Sequence, residues 1–292
     1  MAVNLTELTN YVEQNANQLV SKASLGAPSI KYFKLQTGVK GPVQINVLNT
    51  SIELGNGKAC GFTDAGESKI SQRKLNPWNA KVNRSFCHRA MVDYFMASEI
   101  NIAAGREQLP FAEQFCADIV KGVNEEVEKA VWNGITIGGT KYDGLLDVLA
   151  DAKTVGVGDT IYDTVKNVYR AIPAEVLADS AIFLGVDSYQ SLVLDFVEKN
   201  LYNWKTVDNA PEFVMTLPGT NTRIIGVPGL VGKGEVVALP LSETVYGVDM
   251  QDDAETFRFK YSEDNDEFRL MLNFNGSVQV AYPDHCVVAR KA

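Results

Sequence analysis

The residues able to do chemistry come in short patterns, and each pattern lacks a part that its chemistry needs. Lys233 sits in GLVGKGE, which has no leading glycine at the right offset and no hydroxyl residue after the lysine, so it is not a phosphate-cradling P-loop. Ser188 sits in GVDSY without the second glycine of a nucleophile elbow, and Asp187 beside it reads as a helix N-cap. The two histidines each adjoin a cysteine, His88 next to Cys87 and His285 next to Cys286, but neither doublet has the paired spacing of a zinc site. Glu263, Asp264, Asp266 and Glu267 carry enough charge for calcium yet lack the loop glycine and distal glutamate, and read as a solvated hairpin tip. Glu125, Glu126 and Glu128 read as the wet face of a helix, because nothing converges on them as an acid/base partner. No spacing links serine, histidine and aspartate into a triad, and no basic run surrounds Trp78, Trp132 or Trp204 to make a base-stacking platform. The expectation is a chain that is not an enzyme, with no catalytic, cofactor or metal site.

Composition is consistent with that expectation. The chain has 292 residues, 46% of them hydrophobic, enough for one large or two modest domains with a sizeable core. No apolar run approaches the roughly 20 residues needed to span a bilayer, and the start, MAVNLTELTN, has neither a basic nor an apolar signal region. Four cysteines lie far apart with no CxxC pair, which fits reduced thiols rather than a disulfide framework. The formal net charge of -9 disfavours sequence-independent nucleic-acid binding by the whole surface while leaving local basic patches open.

What must position such surfaces is a strut. Between Pro110 and Trp132, Phe111, Phe115, Ile119, Val123, Val127 and Val131 recur at a step of four, which predicts a helix about 34 Å long. Such a stripe rotates by about 40° per repeat, so different elements must cover successive turns. Pro110 suits the first turn and Asn133-Gly134 suits a left-handed cap. An N-terminal helix places Leu5, Leu8, Val12, Ala16, Leu19 and Ala23 on one face, opened by Asn4 and Glu7 at capping-box spacing. Being short, it must dock either on the body of the chain or on another subunit.

Residues 30–54 alternate with period two and predict two strands, broken at Gly38 and Gly41-Pro42. Residues 55–87 read as an extended insertion with little core of its own. From Gly66 to Arg89, Lys69, Arg73, Lys74, Lys81, Arg84 and Arg89 stand against Glu67 alone, a local charge of +5. After the strut comes a Gly-rich reversal. Alternating α and β follows, with helices expected at Thr160–Ile172 and Ser188–Lys199 under caps Asp159 and Asp187, and strands at Ala181–Val186, Arg223–Val227 and Glu235–Leu239. TFRFKY, FRLMLNF and SVQVAY predict a closing meander, with Asn275-Gly276 as a hairpin turn.

This order resembles the major capsid proteins of tailed bacteriophages, the Hong Kong 97 type, across essentially the whole chain. The texts that carry the resemblance are EKAVWNGITIGGTKYDGLLDVLAD, AIFLGVDSYQSLVLDFVEKN and FRLMLNFNGSVQVAYPDHCVVA. The resemblance implies an α+β fold divided into an N-terminal arm (1–29), peripheral-domain strands (30–54), an extended loop (55–87), a peripheral domain with a long spine helix (88–139), an α/β axial domain (140–247), returning strands (248–282) and a C-terminal tail (283–292). It implies no long N-terminal scaffolding segment.

The same resemblance implies a structural role: self-assembly of pentamers and hexamers into an icosahedral virion capsid, built in the host bacterial cytoplasm around double-stranded DNA held without sequence specificity. Portal and scaffolding or decoration proteins would be partners; a membrane would not. Patterning and charge place contacts between subunits at Leu5, Leu8, Val12 and Leu19, and at Lys69, Arg73, Lys74, Lys81 and Arg84 facing Glu125, Glu126 and Glu128, or the meander acids Asp252, Asp253, Glu255 and Glu263 to Glu267, of a neighbour. The type member cross-links a loop lysine to an asparagine, and Lys58, Lys69, Lys74, Asn273 and Asn275 supply those residue types here. Encapsulin nanocompartment shells resemble the same fold, and a soluble α/β enzyme is the rival of another class.

Overall fold

The computed structural model describes residues 6–54, 66–87, 89, 111–199, 213–217, 219–249 and 256–290. In chain order they form α1 (Thr6–Leu25), β1 (Lys34–Gln36), β2 (Val43–Ile52), β3 (Gly66–Leu75), β4 (Trp78–Cys87) and the strut α2 (Phe111–Asn133). Then come a small hairpin, β5 (Ile135–Ile137) and β6 (Thr140–Tyr142), the short helix α3 (Leu145–Val148), β7 (Lys153–Val155), α4 (Ile161–Ala171), β8 (Ser180–Gly185), α5 (Val186–Glu198) and β9 (Val214–Thr216). The chain ends with β10 (Arg223–Val227), β11 (Val236–Pro240), β12 (Thr244–Gly247), β13 (Thr256–Ser262), β14 (Glu267–Val280) and β15 (Val287–Ala289).

The strut forms where the four-residue step predicts it. Gly134 closes it in the left-handed region (φ 73°), its N–H donating to the Ala130 carbonyl at 2.9 Å, a conformation that costs glycine nothing. The drift of the apolar stripe sends its two ends to different parts of one continuous core. Near the start, Phe115 meets Phe86 and Phe259 edge-on at 5.1 and 5.8 Å; at the end, Trp132 packs on Phe33 and Phe183 at 6.5 and 5.4 Å. One helix thus ties an antiparallel sheet to an α/β layer.

α1 lies along the strut and against β13 and β14 of its own chain. Val12, Leu19, Val20 and Ala23 are buried there. This corrects the expectation that Val12 and Leu19 dock on a neighbour: their transfer from water is already completed within the chain, worth roughly 1.5–3 kcal/mol for each large side chain. Leu5 lies outside the described residues, as does the side chain of Leu8.

The antiparallel sheet is built on β14, which pairs with β4 from Glu267 to Gly276, with β13 from Glu267 to Asn273, and with β12 from Ser277 to Val280; β1 adds to β12 in parallel. The hairpin expected at Asn275-Gly276 does not form, and the 14-residue strand runs straight through it. Packing overrides the turn signal: a Cβ on Gly276 would lie 2.4 Å from the Trp78 indole and 2.8 Å from Tyr246 Oη, so this glycine admits a ring rather than a reversal.

The second sheet has the order β7-β15-β11-β8-β10-β9. One face packs on α4 and α5 through Val165, Val168, Ile182, Leu184 and Leu192, while Phe183, Val237 and Val288 of the other face join the core around the strut. The expected C-terminal tail is therefore corrected: Val287–Ala289 is a buried strand between β7 and β11. The caps also differ. Thr160 caps α4, accepting from the Asp163 N–H at 3.2 Å, and Gly185 holds the cap position of α5. Asp187 instead reaches out to accept from the Gly232 N–H at 3.1 Å.

Candidate functional site

Several residues of the patterns weighed for chemistry have packing or hydrogen-bond partners within the fold. Ser188 is buried inside α5. His285 Nδ1 lies 2.9 Å from the Glu243 carboxylate and its ring stacks on Tyr282 at 5.1 Å, so its polar and apolar sides are both engaged. The neighbouring Cys286 thiol is pushed up to about 12, chiefly by burial, and Cys116 up to about 11 for the same reason; both are poor nucleophiles at neutral pH. His88 and Trp204 lie outside the described residues. Among the described residues no group of three or more His, Cys, Asp or Glu could hold a metal, and no helix is long and apolar enough to cross a membrane.

Glu128 corrects another expectation. It is fully buried rather than on the wet face of the strut. Ser29 donates to it through its backbone N–H (3.0 Å) and its hydroxyl, and Trp132 Nε1 donates at 3.1 Å. Desolvation outweighs these donors and raises its pKa above the usual carboxylate value. Glu125 and Glu126 are exposed as expected, with Glu126 paired to Lys129 at 2.6 Å.

The surface that stands out is the ribbon of β2 and β3, ten antiparallel pairs from Val43–Leu75 to Ile52–Gly66. Because side chains alternate, its two faces differ in fate. Val43, Ile45 and Val47 turn toward Val39, Leu75 and Val245 at the ribbon root or are otherwise covered. On the opposite face Leu48 and Ile70 form a cross-strand pair that is 57% and 78% exposed, and Ile52 on that face is 78% exposed. Leu54, just beyond β2, is 99% exposed. Tyr282 Oη anchors the ribbon from the body, within 3.3–3.4 Å of the carbonyl and N–H of Leu48. Sequence reading missed this apolar face. The signal was there, since VQINVLNTSIEL carries large apolar residues at both parities of the strand.

The ribbon's described strands are 43–52 and 66–75, the second of them inside the expected loop of 55–87, and this divides the basic stretch. Lys69, Arg73 and Lys74 lie on β3, whereas Lys81 and Arg84 lie on β4, paired into the β14 sheet opposite Asn273 and Leu270. Lys69 pairs with Glu67 at 3.4 Å on the surface. Among the described residues, no ion pair joins the other four to Glu125, Glu126 or Glu128 of the same chain.

No family model matches the sequence, and no curated protein does. Solved structures do match the fold. The chain is similar to one from the satellite phage P4 procapsid with its size determination protein, at 12% identity over 94% of this chain and 97% of that one, with a TM-score of 0.60. It is similar to a chain of Mycobacterium phage Bobi at 13% identity over 100% and 99% of the two chains, with a TM-score of 0.57. A virus-like particle from Pyrococcus furiosus matches at 10% identity over 96% and 99%, with a TM-score of 0.55. The chain has the α+β fold of phage capsid shells.

Proposed function

We propose that this chain is the major capsid protein of a tailed bacteriophage, a structural subunit without catalytic activity that self-assembles into an icosahedral shell around packaged double-stranded DNA. The observation that carries this reading is the ribbon: an extended, two-stranded projection whose outer face exposes Leu48, Ile52 and Ile70 on a fold shared with capsid chains. A monomer gains nothing from an apolar face held off its own core, whereas a neighbour that covers it removes that surface from water. Burying each of these side chains contributes roughly 1.5–3 kcal/mol, offset by the cost of association, and a closed lattice repeats the contact on every subunit.

Pentamers and hexamers would be the units of such a lattice, formed in the host cytoplasm with portal and scaffolding or decoration proteins as partners. DNA would be held on the interior without base readout. The similarity to the Pyrococcus furiosus particle supports a second reading, a shell of the encapsulin type that encloses protein cargo. Purified particles separate the two by content: nuclease-protected DNA in the first case, a co-purifying protein in the second. Expression followed by size-exclusion chromatography and negative-stain microscopy tests the common claim, which requires closed particles far larger than one 32.0 kDa chain.

A further inference from the structure

The charge on this chain is distributed along β14 in a way that one molecule cannot satisfy. At the strand's start, the β13–β14 turn carries Glu263 and Asp264, both exposed, and neither makes an ion pair among the described residues. Their turn neighbours are engaged locally, Asp266 accepting from the Tyr261 hydroxyl at 2.6 Å and Glu267 pairing with Arg269 at 2.9 Å.

Toward the strand's other end lie two adjoining grooves of about 390 and 430 Å³ that share Lys40 and Asn79. Lys81 lines the first, and Lys74 and Lys141 line the second; the acids in their walls are Asp249 and Asp143. Lys141 is already paired with Asp147 at 2.9 Å, so the positive charge that the combined groove offers is carried by Lys74 and Lys81, both exposed and neither in an ion pair among the described residues, in a chain whose net charge is -9. β14 contributes residues to these walls from Asn273 at one end to Gln279 at the other. Those positions are six and twelve residues from Glu267, hence about 20 and 40 Å along the strand. At about 8 Å of screening length in physiological salt, the two ends of one chain do not interact.

We propose that the acidic β13–β14 turn of one copy docks in the lysine-lined groove at the ribbon root of a second copy. This rests on the shell reading above and names a contact within it. The occupant follows from sign and shape: the groove needs an acidic, narrow guest, and the described surface offers a two-carboxylate turn at the tip of a hairpin. Donor and acceptor patches are different surfaces of the same chain, so the contact is heterologous and repeats head to tail, closing into a ring or extending a lattice. Lys74 and Lys81 set register here more than they add affinity, because exposed charge pairs steer encounter and reject misaligned neighbours.

A charge-swap experiment tests this. In the full chain, Lys74→Glu with Lys81→Glu should reduce the yield of closed particles by about tenfold or more at low salt, and Glu263→Lys with Asp264→Lys should do the same. All four positions are exposed, so circular dichroism and melting temperature of the unassembled subunit should match wild type. Combining the two reversals restores the sign complementarity and should recover particles. Recovery supports the contact. Loss in both single sets with no recovery in the combination assigns the groove another guest and overturns the proposal, as does normal assembly of either set. If the wild-type chain forms no particles under any condition, it is the shell reading that fails, a result distinct from the other two.

Discussion

Ser29 and Glu128 are 99 residues apart in sequence and joined through the Ser29 N–H at 3.0 Å, which ties the segment after α1 to the last turns of the strut. Trp132 Nε1 closes the cluster by donating to Ser29 Oγ at 2.8 Å. The backbone amide of Gly229 adds a further donor to the carboxyl, so the N-terminal segment, the strut and the loop after β10 meet at one acid.

Burial raises the Glu128 pKa, which shifts the group toward its protonated form relative to the unfolded chain. The stability from this group is fully present below its unfolded pKa, near the ordinary glutamate value, and is lost as pH rises through the raised folded value. Glu128→Gln should flatten that pH dependence, since an amide oxygen accepts from Ser29 as the carboxyl does but does not titrate. Glu128→Ala should cost about 3 kcal/mol by leaving the buried donors without an acceptor. Urea titrations across pH 4 to 8 would check both, and unchanged pH dependence in Glu128→Gln would contradict the assignment.

Gly276→Ala should destabilise the chain by about 1–3 kcal/mol through its clash with Trp78 and Tyr246. At an unobstructed strand position the same change would stabilise by roughly 0.5–1 kcal/mol, so a stabilised variant in thermal melts would contradict the close packing of Trp78 on Gly276.

The strut was legible because a long periodic run with a proline start and a glycine stop makes one statement at every scale: local propensity, pattern and packing agree. Strands β8 and β10 were legible as apolar runs for the same reason. Asn275-Gly276 was misread because a hairpin dipeptide says what the backbone can do, while Trp78, nearly 200 positions away, decides what it does. Glu128 was misread because a charged residue among Glu125 and Glu126 gives no local sign of the serine that will bury it. The ribbon's apolar face was hidden by a reading that sought one buried parity per strand.

Deleting residues 1–26 should lower the melting temperature or prevent soluble expression, because Val12, Leu19, Val20 and Ala23 complete the chain's own core. A truncated chain as stable as the full one would return this helix to the intersubunit role that its sequence first suggested.

Leu48→Ser with Ile70→Ser should leave subunit stability within about 0.5 kcal/mol, since both side chains are solvent-facing. Assembly should fall sharply in sedimentation velocity. Equal loss of folding and assembly would mean that the pair is covered within its own chain.

The central claim is that this fold exists to tile, and the most direct measurement is negative-stain microscopy of the purified full-length chain. The account predicts closed particles of uniform diameter, absent from the Leu48→Ser, Ile70→Ser variant. A species that stays monomeric across salt, pH and protein concentration would contradict it.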